Sequence, residues 1–317
     1  MSPSVLLAVE PGVGLIVLLP PRLNEREKKM SSSSSVSNTT APAAVMLQSS
    51  ELNNEAYHAD TSAITGSSTP HLSSSAFKLL TKSPLAFKER YIDGFSSLPT
   101  DAMDFGSYYH AIVLEPEIVD KEFAIYTGKT RRGAAWEKFR DENPDKTIIT
   151  TAHQNKAKEM LKAFNLSKHA QQLIVNSPGK PEVSVFTEIE GVPVKIRCDW
   201  FADNGDIVDL KTTNAPLNEI DLQNTVRKYG YDLSAALYVD AMKKLTGKDH
   251  DFYFVFSSKV DGCQTKAFKA SKEMLELGRS KYLKGIELYK ECLVSGFEST
   301  GEPDEIPVIC LPEARSK

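Results

Sequence analysis

The sequence predicts a mixed α/β fold, with a central mixed sheet flanked by helices and a helical N-terminal part. Apolar side chains recur at helical spacing up to about residue 176, and the segment EVSVFTEIE at 182–190 then alternates with the two-residue period of a strand. Strands and helices follow one another from there to residue 294. With 317 residues, of which 41% are hydrophobic, the chain can bury a sizeable core, which excludes a collagen, a coiled coil or a wholly disordered protein.

The N-terminal end of the chain is predicted to be a disordered tail over residues 1–55. Residues 31–50 contain eight serines and no charged residue, so they bury too little apolar surface to offset the entropy lost on ordering. Met30 and Met46 are alternative start positions. The apolar segment 5–20 is too short and too interrupted for a membrane span, and no basic residues precede it as in a signal peptide. A folded domain over 56–300 and a C-terminal tail over 301–317 complete the predicted organisation.

Four helices are predicted before the first strand, and capping chemistry sets where the first two begin. The serine run 73–75 offers an N-cap to a helix that carries Phe77. Ser83, which is followed by a proline, caps a second helix that carries Phe87. The third and fourth helices are predicted over about 103–114 and 152–176.

The strands are predicted to form a three-stranded meander and a later hairpin. Turns are indicated by Gly191, Gly205 and Gly262, each next to an acidic or amide residue. The aromatic run FYFVF at 252–256 is interpreted as a core strand rather than a platform for base stacking. In order, the predicted elements are strands over 182–190, 192–202 and 207–212, a helix over 230–245, strands over 251–258 and 263–269, and a helix over 271–294.

The charge balance and the cysteines exclude several classes of protein. The net charge is −4, so a uniformly basic surface for nucleic acid is excluded, although a local basic groove or a bound metal can still attract phosphate. The four cysteines contain no C-x-x-C pair, which argues against a zinc ribbon and a cysteine-ligated iron–sulfur cluster. Reduced thiols are expected, as is typical of a cytoplasmic protein. The cysteines are Cys198, Cys263, Cys292 and Cys310.

Two carboxylates and a lysine form the strongest candidate site: Asp199, Asp209 and Lys211. Asp209 and Lys211 are two residues apart on a predicted strand, so their side chains share one face. Leu210 points to the core, and its backbone carbonyl stays beside the two as an available metal ligand. Such a group can bind a divalent metal and activate a water for phosphodiester hydrolysis.

The face on which Asp199 lies depends on the length of the hairpin loop. A two-residue loop ending at Gly205 pairs Asp199 with Leu210, which puts the carboxylate on the face opposite to Asp209. A three-residue loop over 203–205, with Gly205 left-handed, pairs Asp199 with Asp209 instead. A glycine at this position suits the three-residue form, so we predict that register.

A simpler interpretation is a solvated hairpin with ordinary surface charges. It accounts well for Asp203 and Asp206. It accounts less well for Asp199, because Cys198 and Trp200 on either side of it have the character of buried residues. Two facing carboxylates without a cation would also repel each other. Both interpretations stay open at this level.

Two further groups have both a functional and a structural interpretation. His110 lies in the predicted helix 103–114, where it is either a neutral metal ligand or an ordinary core or surface histidine. Arg131 and Arg132 form a basic patch beside Trp136, which can bind a 5′-phosphate or a phosphate backbone. The same residues also fit a solvated loop.

The motifs in combination resemble a known family. In chain order they are Gly106-x3-His110-x3-Leu114-Glu115-Pro116, Glu182, Asp199, Asp209-x-Lys211 and Tyr238. The segments HLSSSAFKLLTKSPLAFKERYIDG at 71–94 and KTRRGAAWEKFRDENP at 129–144 share the resemblance. Over about residues 57–300, the chain resembles the RecE (exonuclease VIII) family of RecB-like exonucleases in the PD-(D/E)xK nuclease superfamily.

This resemblance implies a two-metal exonuclease that degrades linear double-stranded DNA from 5′ to 3′, with two Mg²⁺ or Mn²⁺ ions in each site. By analogy, Asp209 would bridge the metals and Lys211 would orient or deprotonate the attacking water and stabilise charge in the transition state. The other implied ligands are His110, Asp199 and the backbone carbonyl of Leu210, with Glu182 as a supporting or alternative metal group.

The resemblance also implies contacts to DNA and partners. RecB-like enzymes usually carry Q-x3-Y on the next helix; here Tyr238 is kept and Ser234 replaces the glutamine, with a shorter reach. A homo-oligomeric ring, a single-strand annealing protein as partner, a phage or prophage origin and 3′ single-stranded tails for recombination are implied as well. Two alternatives remain: a DNA endonuclease of the same superfamily, and a non-catalytic DNA-binding recombination protein.

Overall fold

The computed structural model of the chain describes residues 44–52, 54–58, 69–95, 99–299 and 305–306. Most of the two predicted tails, together with the apolar segment 5–20, Met30 and Cys310, lies outside these residues. Within the described part of the chain, no helix has the length and apolar character needed to cross a bilayer.

A six-stranded mixed sheet lies at the centre of the described structure, as the sequence predicts. The strands are β1 Val45–Leu47, β2 Phe123–Tyr126, β3 Thr147–Thr150, β4 Gly179–Ile189, β5 Val192–Ala202, β6 Ile207–Thr213, β7 Phe252–Ser258 and β8 Thr265–Lys269. The large sheet has the order β1-β4-β5-β6-β7-β8. Its neighbouring strands are antiparallel except for β6 and β7, which are parallel. β2 and β3 form a separate parallel pair.

Helices precede the meander and connect or follow its strands. They are α1 Asn54–His58, α2 Ser74–Leu80, α3 Pro84–Phe87, α4 Asp101–Leu114, α5 Val119–Glu122, α6 Ala134–Asp141, α7 Thr151–Leu166, α8 Lys168–Ala170, α9 Glu219–Tyr229, α10 Tyr231–Thr246 and α11 Lys272–Ser295. Short π-helical turns extend α3 over Lys88–Ile92 and α8 over Gln171–Val175. The predicted caps are confirmed, because the Ser73 and Ser83 hydroxyls accept hydrogen bonds from the backbone N–H groups of Ala76 and Ala86.

The helices bury both faces of the sheet. On one face, α2, α10 and α11 form a core with Phe254 and Phe256 of β7. On the other, α4 and α7 cover Leu210 of β6 and Val255 of β7. Because β6 and β7 are central strands covered on both sides, the run FYFVF is nearly continuous in apolar residues. It is a core strand, as predicted, but its burial is not restricted to alternate residues.

The predicted N-terminal tail does not hold over residues 45–52, which the structure describes. Strand β1 forms the edge of the large sheet and pairs with β4, with Val45 opposite Phe186. Leu52 and Tyr57 then pack against Phe186 and are only 5% and 6% exposed. This short apolar segment lies inside a serine-rich stretch, and its burial depends on strand β4, which is far away in sequence.

The structure contains further elements that local patterns do not predict. The strands β2 and β3 have four residues each, which is too short for a periodic signal. Helices α6 and α9 are also absent from the sequence prediction. The helix predicted over 152–176 is broken at Ser167, whose side chain accepts a hydrogen bond from the Ala170 N–H and begins a new short helix.

Candidate active site

The hairpin between β5 and β6 sets the geometry of the site. Trp200 lies opposite Val208, and Phe201 lies opposite Ile207. Continuing that register by one residue puts Asp199 opposite Asp209 on the same face of the sheet. The loop is the predicted three-residue form, in which Gly205 has a φ of +95°. The register that unites the two carboxylates is therefore confirmed.

Asp199 is buried at the centre of the site. Its Oδ2 atom accepts a hydrogen bond of 2.7 Å from the backbone N–H of Leu210. The same oxygen lies 3.7 Å from Nδ1 of His110 and 3.8 Å from Nζ of Lys211. The carboxylate is thus held by the neighbouring strand, while a histidine from α4 and a lysine from β6 face it.

Asp209 and Lys211 share one side of β6, as the two-residue period requires. Lys211 Nζ lies 2.7 Å from Asp209 Oδ1 and 3.5 Å from the backbone carbonyl of Leu210. The side chain of Leu210 is fully buried in the core beneath. Its carbonyl therefore stays beside the lysine, as the sequence predicts.

Glu182 completes the cluster through an unusual backbone conformation. It lies in β4 between Pro181 and Val183, which pair with Trp200 and Cys198 across the ladder. Its φ is +49°, in the left-handed region that a residue with a Cβ seldom adopts. Such strain costs on the order of 1–3 kcal/mol and occurs preferentially at functional sites.

Ligand atoms of His110, Glu182 and Asp199 all lie within 4.8 Å of one another. A nitrogen and two carboxylate oxygens at this spacing fit a divalent cation such as Mg²⁺ or Mn²⁺. Glu182 therefore belongs to the potential ligand set, whereas the resemblance assigned it only an accessory place. Asp209 is instead paired with Lys211 at the side of this group.

The electrostatics also fit a cation. Burial, followed by the charge of Lys211, lowers the pKa of His110 to about 4, so its imidazole is neutral and able to bind metal at pH 7. Burial and the charge of Asp199 raise the pKa of Glu182 to about 8. Burial also raises the pKa of both Asp199 and Asp209. Burial and mutual repulsion therefore disfavour the ionised carboxylates, a cost that a bound cation would relieve.

Lys211 is a cation in this arrangement. Burial acts to lower its pKa, but the charges of Asp209 and Asp199 outweigh burial and raise it. A lysine in this state donates hydrogen bonds and supplies positive charge, which suits orienting water or stabilising an oxyanion. Acting as the base would require it to lose that proton first.

A cleft of about 620 Å³ opens onto the cluster. Its wall includes Arg197, which was not identified from the sequence and whose Nε lies 3.9 Å from Glu182 Oε2. Arg197 also donates to the Ser184 hydroxyl and to the carbonyl of Leu52. The cleft is lined by His110, Glu115, Glu182, Arg197 and Asp199, by residues 49–52, and by further residues of α4, α5 and the intervening turn.

Arg131 and Arg132 do not join this cluster. Arg131 donates hydrogen bonds of 2.8 Å to Asp101 Oδ1 and to the backbone carbonyl of Ile148, and its guanidinium lies 5.7 Å from the centroid of the Trp136 ring. Asp101 begins α4, nine residues before His110 and about 14 Å away along the helix axis. Arg132 is exposed. A DNA contact for either residue stays a prediction.

The two residues predicted to contact DNA from α10 lie in different environments. The Tyr238 ring packs edge-to-face against Phe252, with 6.1 Å between ring centroids, and burial raises the pKa of its hydroxyl. Ser234 is 8% exposed and accepts a 2.7 Å hydrogen bond from Lys78 Nζ. Lys78 was not singled out from the sequence, although it lies in the segment 71–94 that carries part of the resemblance.

Comparison with known families gives a match over most of the chain. A family model described as a PDDEXK-like domain of unknown function (DUF3799) matches residues 73–303. His110, Glu182, Asp199 and the Asp209–Lys211 pair all lie within the matched part, whereas β1 and α1 precede it. No curated protein matches the sequence.

A solved structure shares the fold at low sequence identity. A protein from Eubacterium rectale, provisionally described as an exonuclease, has a TM-score of 0.57 and 17% identity, with 83% of this chain and 96% of that chain covered. A phage-related exonuclease from Haemophilus somnus has a TM-score of 0.31 and 11% identity, with 71% and 96% covered. The first similarity supports a common fold, and the second is too low to support an argument.

Proposed function

The chain belongs to the PDDEXK-like family DUF3799, and so to the PD-(D/E)xK nuclease superfamily, and on this premise we propose that it is a metal-dependent DNA exonuclease. One observation carries the proposal. Ligand atoms of His110, Glu182 and Asp199 converge within 4.8 Å of one another, beside an Asp209–Lys211 pair on the adjacent strand. Metal ligands next to a buried lysine suit the hydrolysis of a phosphodiester.

The proposed cofactor is Mg²⁺ or Mn²⁺, with two ions in each site. Such ions would supply positive charge to the phosphoryl oxygens and make a water more acidic. The residues available to hold them are His110, Glu182, Asp199, Asp209 and the carbonyl of Leu210.

The chain's own groups have separate tasks in this proposal. Lys211 donates to the attacking water or to the phosphoryl group, and Asp209 holds its ammonium group 2.7 Å away. The Leu210 N–H fixes the orientation of Asp199 through a 2.7 Å hydrogen bond. Because that donor belongs to a β-strand, the carboxylate is positioned before any ligand binds.

The polarity and the substrate are the finer part of the proposal. We propose degradation of linear double-stranded DNA from 5′ to 3′, which leaves 3′ single-stranded tails for recombination. The support is the ordered set of motifs that resembles the RecE family, together with the exonuclease description of the Eubacterium rectale protein that shares this fold. A homo-oligomeric ring and a single-strand annealing partner belong to the same proposal.

The test is a degradation time course on matched linear and covalently closed circular duplex DNA. The linear substrate carries a 5′-end label, and reactions contain Mg²⁺ or a chelator. We expect loss of the linear DNA only, early release of labelled mononucleotide, and no reaction with chelator. Cleavage of the circle would indicate an endonuclease instead, and hydrolysis of neither substrate would indicate a DNA-binding protein without this activity.

A matched pair of lysine variants ties the activity to the site. Lys211→Met removes the ammonium beside Asp209, whereas Lys248→Met removes an exposed lysine after α10. We expect only the first variant to lose activity. Equal activity of the two variants would assign the hydrolysis to a different site.

A further inference from the structure

The junction between α9 and α10 places two tyrosines side by side. Gly230 ends α9 and begins α10 with a φ of +59°, a left-handed conformation that glycine adopts without strain. Tyr229 and Tyr231 on either side of it stack, with 5.5 Å between ring centroids and 23° between ring planes. The sharp turn at Gly230 therefore creates an aromatic pair at the surface.

Lysines lie over both rings of this pair. Lys228 Nζ is 5.3 Å from the centroid of Tyr229. Lys78 Nζ and Lys211 Nζ are 5.6 Å and 5.7 Å from the centroid of Tyr231. The row of aromatic and cationic groups thus ends at the lysine of the candidate active site.

The position of Lys78 is defined by its surroundings. Its ammonium donates a 2.7 Å hydrogen bond to the neutral hydroxyl of Ser234. A Cβ at Gly230 would lie 3.2 Å from Cε of Lys78, so the lysine stem packs directly on that turn. Burial and the charge of Lys211 lower the pKa of Lys78 to about 8. Two neighbouring ammonium groups of this kind are stabilised by an anion between them.

Tyr231 packs against Phe254 and Phe256 of the core, but the exposure of Tyr229 argues against a purely structural role for the pair. The ring of Tyr229 is 50% exposed, and Tyr231 and Lys78 are half-buried. Stacking of an exposed tyrosine contributes little to a core that is already closed by other residues. An exposed tyrosine ring beside lysines matches the combination that binds single-stranded nucleic acid, in which bases stack on rings and phosphates bind cations.

We propose that Tyr229, Tyr231, Lys78 and Lys228, here called the tyrosine–lysine track, bind an unpaired DNA strand that leads to Lys211. This inference rests on the proposed function and specifies the form in which the substrate is bound. A single strand fits better than a closed duplex, because stacked base pairs do not present their faces to a protein ring. The track thus binds the strand being cut after its end has separated from the partner strand.

The experiment measures DNA binding without cleavage, in the full-length chain with Asp209→Asn. Fluorescence anisotropy with Mg²⁺ compares a labelled 12-nucleotide oligothymidine, an abasic strand of the same length and a hairpin-closed duplex without free unpaired bases. We expect Tyr229→Ala to weaken binding of the oligothymidine about tenfold, with little change for the abasic strand or the duplex. Tyr229→Phe keeps the ring and should retain the parent affinity.

The lysines give an independent measurement. Lys78→Met should weaken binding of both single strands and reduce the slope of log K against log salt by about 0.7. Lys269→Met is the matched control, since that lysine also lies over a tyrosine ring, 5.7 Å from Tyr253, but outside the track. The control should leave the affinity and the slope unchanged.

The proposal is overturned if Tyr229→Ala binds oligothymidine like the parent, or if it weakens all three ligands equally. Circular dichroism and thermal melting confirm that each variant is folded.

The wild-type protein distinguishes failure of this proposal from failure of the proposed nuclease function. If the wild-type protein degrades linear DNA while Tyr229→Ala has no binding defect, the proposed role of the tyrosine–lysine track is wrong and the proposed nuclease function is supported. If the wild-type protein hydrolyses no DNA but binding of the single strand depends on Tyr229, the proposed role of the track is supported and the proposed nuclease function is wrong.

Discussion

Two clusters of charged residues at the ends of helix α4 differ in what they can do. At its start, Asp101 binds Arg131 at 2.8 Å and His153 at 3.0 Å, and its side chain is 61% exposed. Near its end, His110 faces Asp199 and Asp209, which are only 9% and 4% exposed. The first cluster is an exposed ion pair, whereas the second buries several carboxyl groups beside a cleft. Burial of the carboxyl groups, which raises their pKa values, therefore distinguishes the candidate site better than the number of charges does.

The largest expected effect comes from removing the lysine or the aspartate of the buried cluster. Lys211→Ala and Asp209→Ala should each lower the cleavage rate by about 10² to 10³ or more, because each removes a group that we propose to act at the reacting phosphate. The folded state should persist, as judged by circular dichroism. Initial rates on end-labelled linear DNA give the comparison, and wild-type rates in both variants would refute the assignment.

Glu182 is expected to have the next largest effect, with opposite consequences for activity and stability. Glu182→Gly removes a carboxylate of the cluster and should raise the Mg²⁺ concentration for half-maximal activity about 10- to 100-fold. The same change relieves the left-handed strain at φ +49° and should raise the free energy of unfolding by about 1 kcal/mol. Metal titration of the rate and denaturant unfolding measure the two effects.

The chain contains a matched control for that backbone effect. Glu190 has a φ of +51° in the exposed turn after β4, away from the cluster. Glu190→Gly should give a similar gain in stability with no change in the metal requirement. If both variants changed the metal requirement equally, Glu182 would act through the backbone of β4 and not as a ligand.

A smaller effect is expected from pH, through Lys78. Its pKa of about 8 means that its positive charge is present at pH 7 and is lost as the pH rises through 8. The groups that face it include Lys211, Asp209 and Asp232. Affinity for single-stranded DNA should fall about fourfold between pH 7 and pH 8.5, since the bound form requires the proton. Lys78→Arg stays charged and should abolish this decrease in anisotropy measurements; an unchanged pH profile would contradict the role of Lys78.

The smallest effect on activity is expected at the exposed cluster. Arg131→Ala should lower the free energy of unfolding by about 1 kcal/mol, because it removes an ion pair with Asp101 and a hydrogen bond to the carbonyl of Ile148. The cleavage rate should change less than about twofold. A tenfold loss of rate without a loss of stability would instead support the sequence-based prediction that this arginine contacts DNA.

Local chemistry explains which parts of the fold could be predicted from the sequence. The serine caps of α2 and α3 and the glycine turn at 205 act over three or four residues, so the printed sequence contains all the groups involved. The hairpin register follows from the same turn, and it correctly places Asp199 opposite Asp209. Strand β1 could not be predicted in this way, because the three residues Val45–Leu47 are stabilised by pairing with β4, which is distant in sequence.

The contacts of the candidate site likewise separate into those set by local sequence and those set by long-range packing. The sequence by itself determined that Asp209 and Lys211 share a face, because a strand repeats every two residues, and that a left-handed glycine at 205 sets Asp199 across from them. Three contacts were decided only by the tertiary structure. The Glu182 carboxylate lies with His110 and Asp199, Arg131 forms an ion pair with Asp101, and the Lys78 ammonium lies over the Tyr231 ring. The physical reason is that these contacts join elements that are far apart in sequence. The distances between such side chains are set by the packing of helices on both faces of the sheet and not by local backbone preferences.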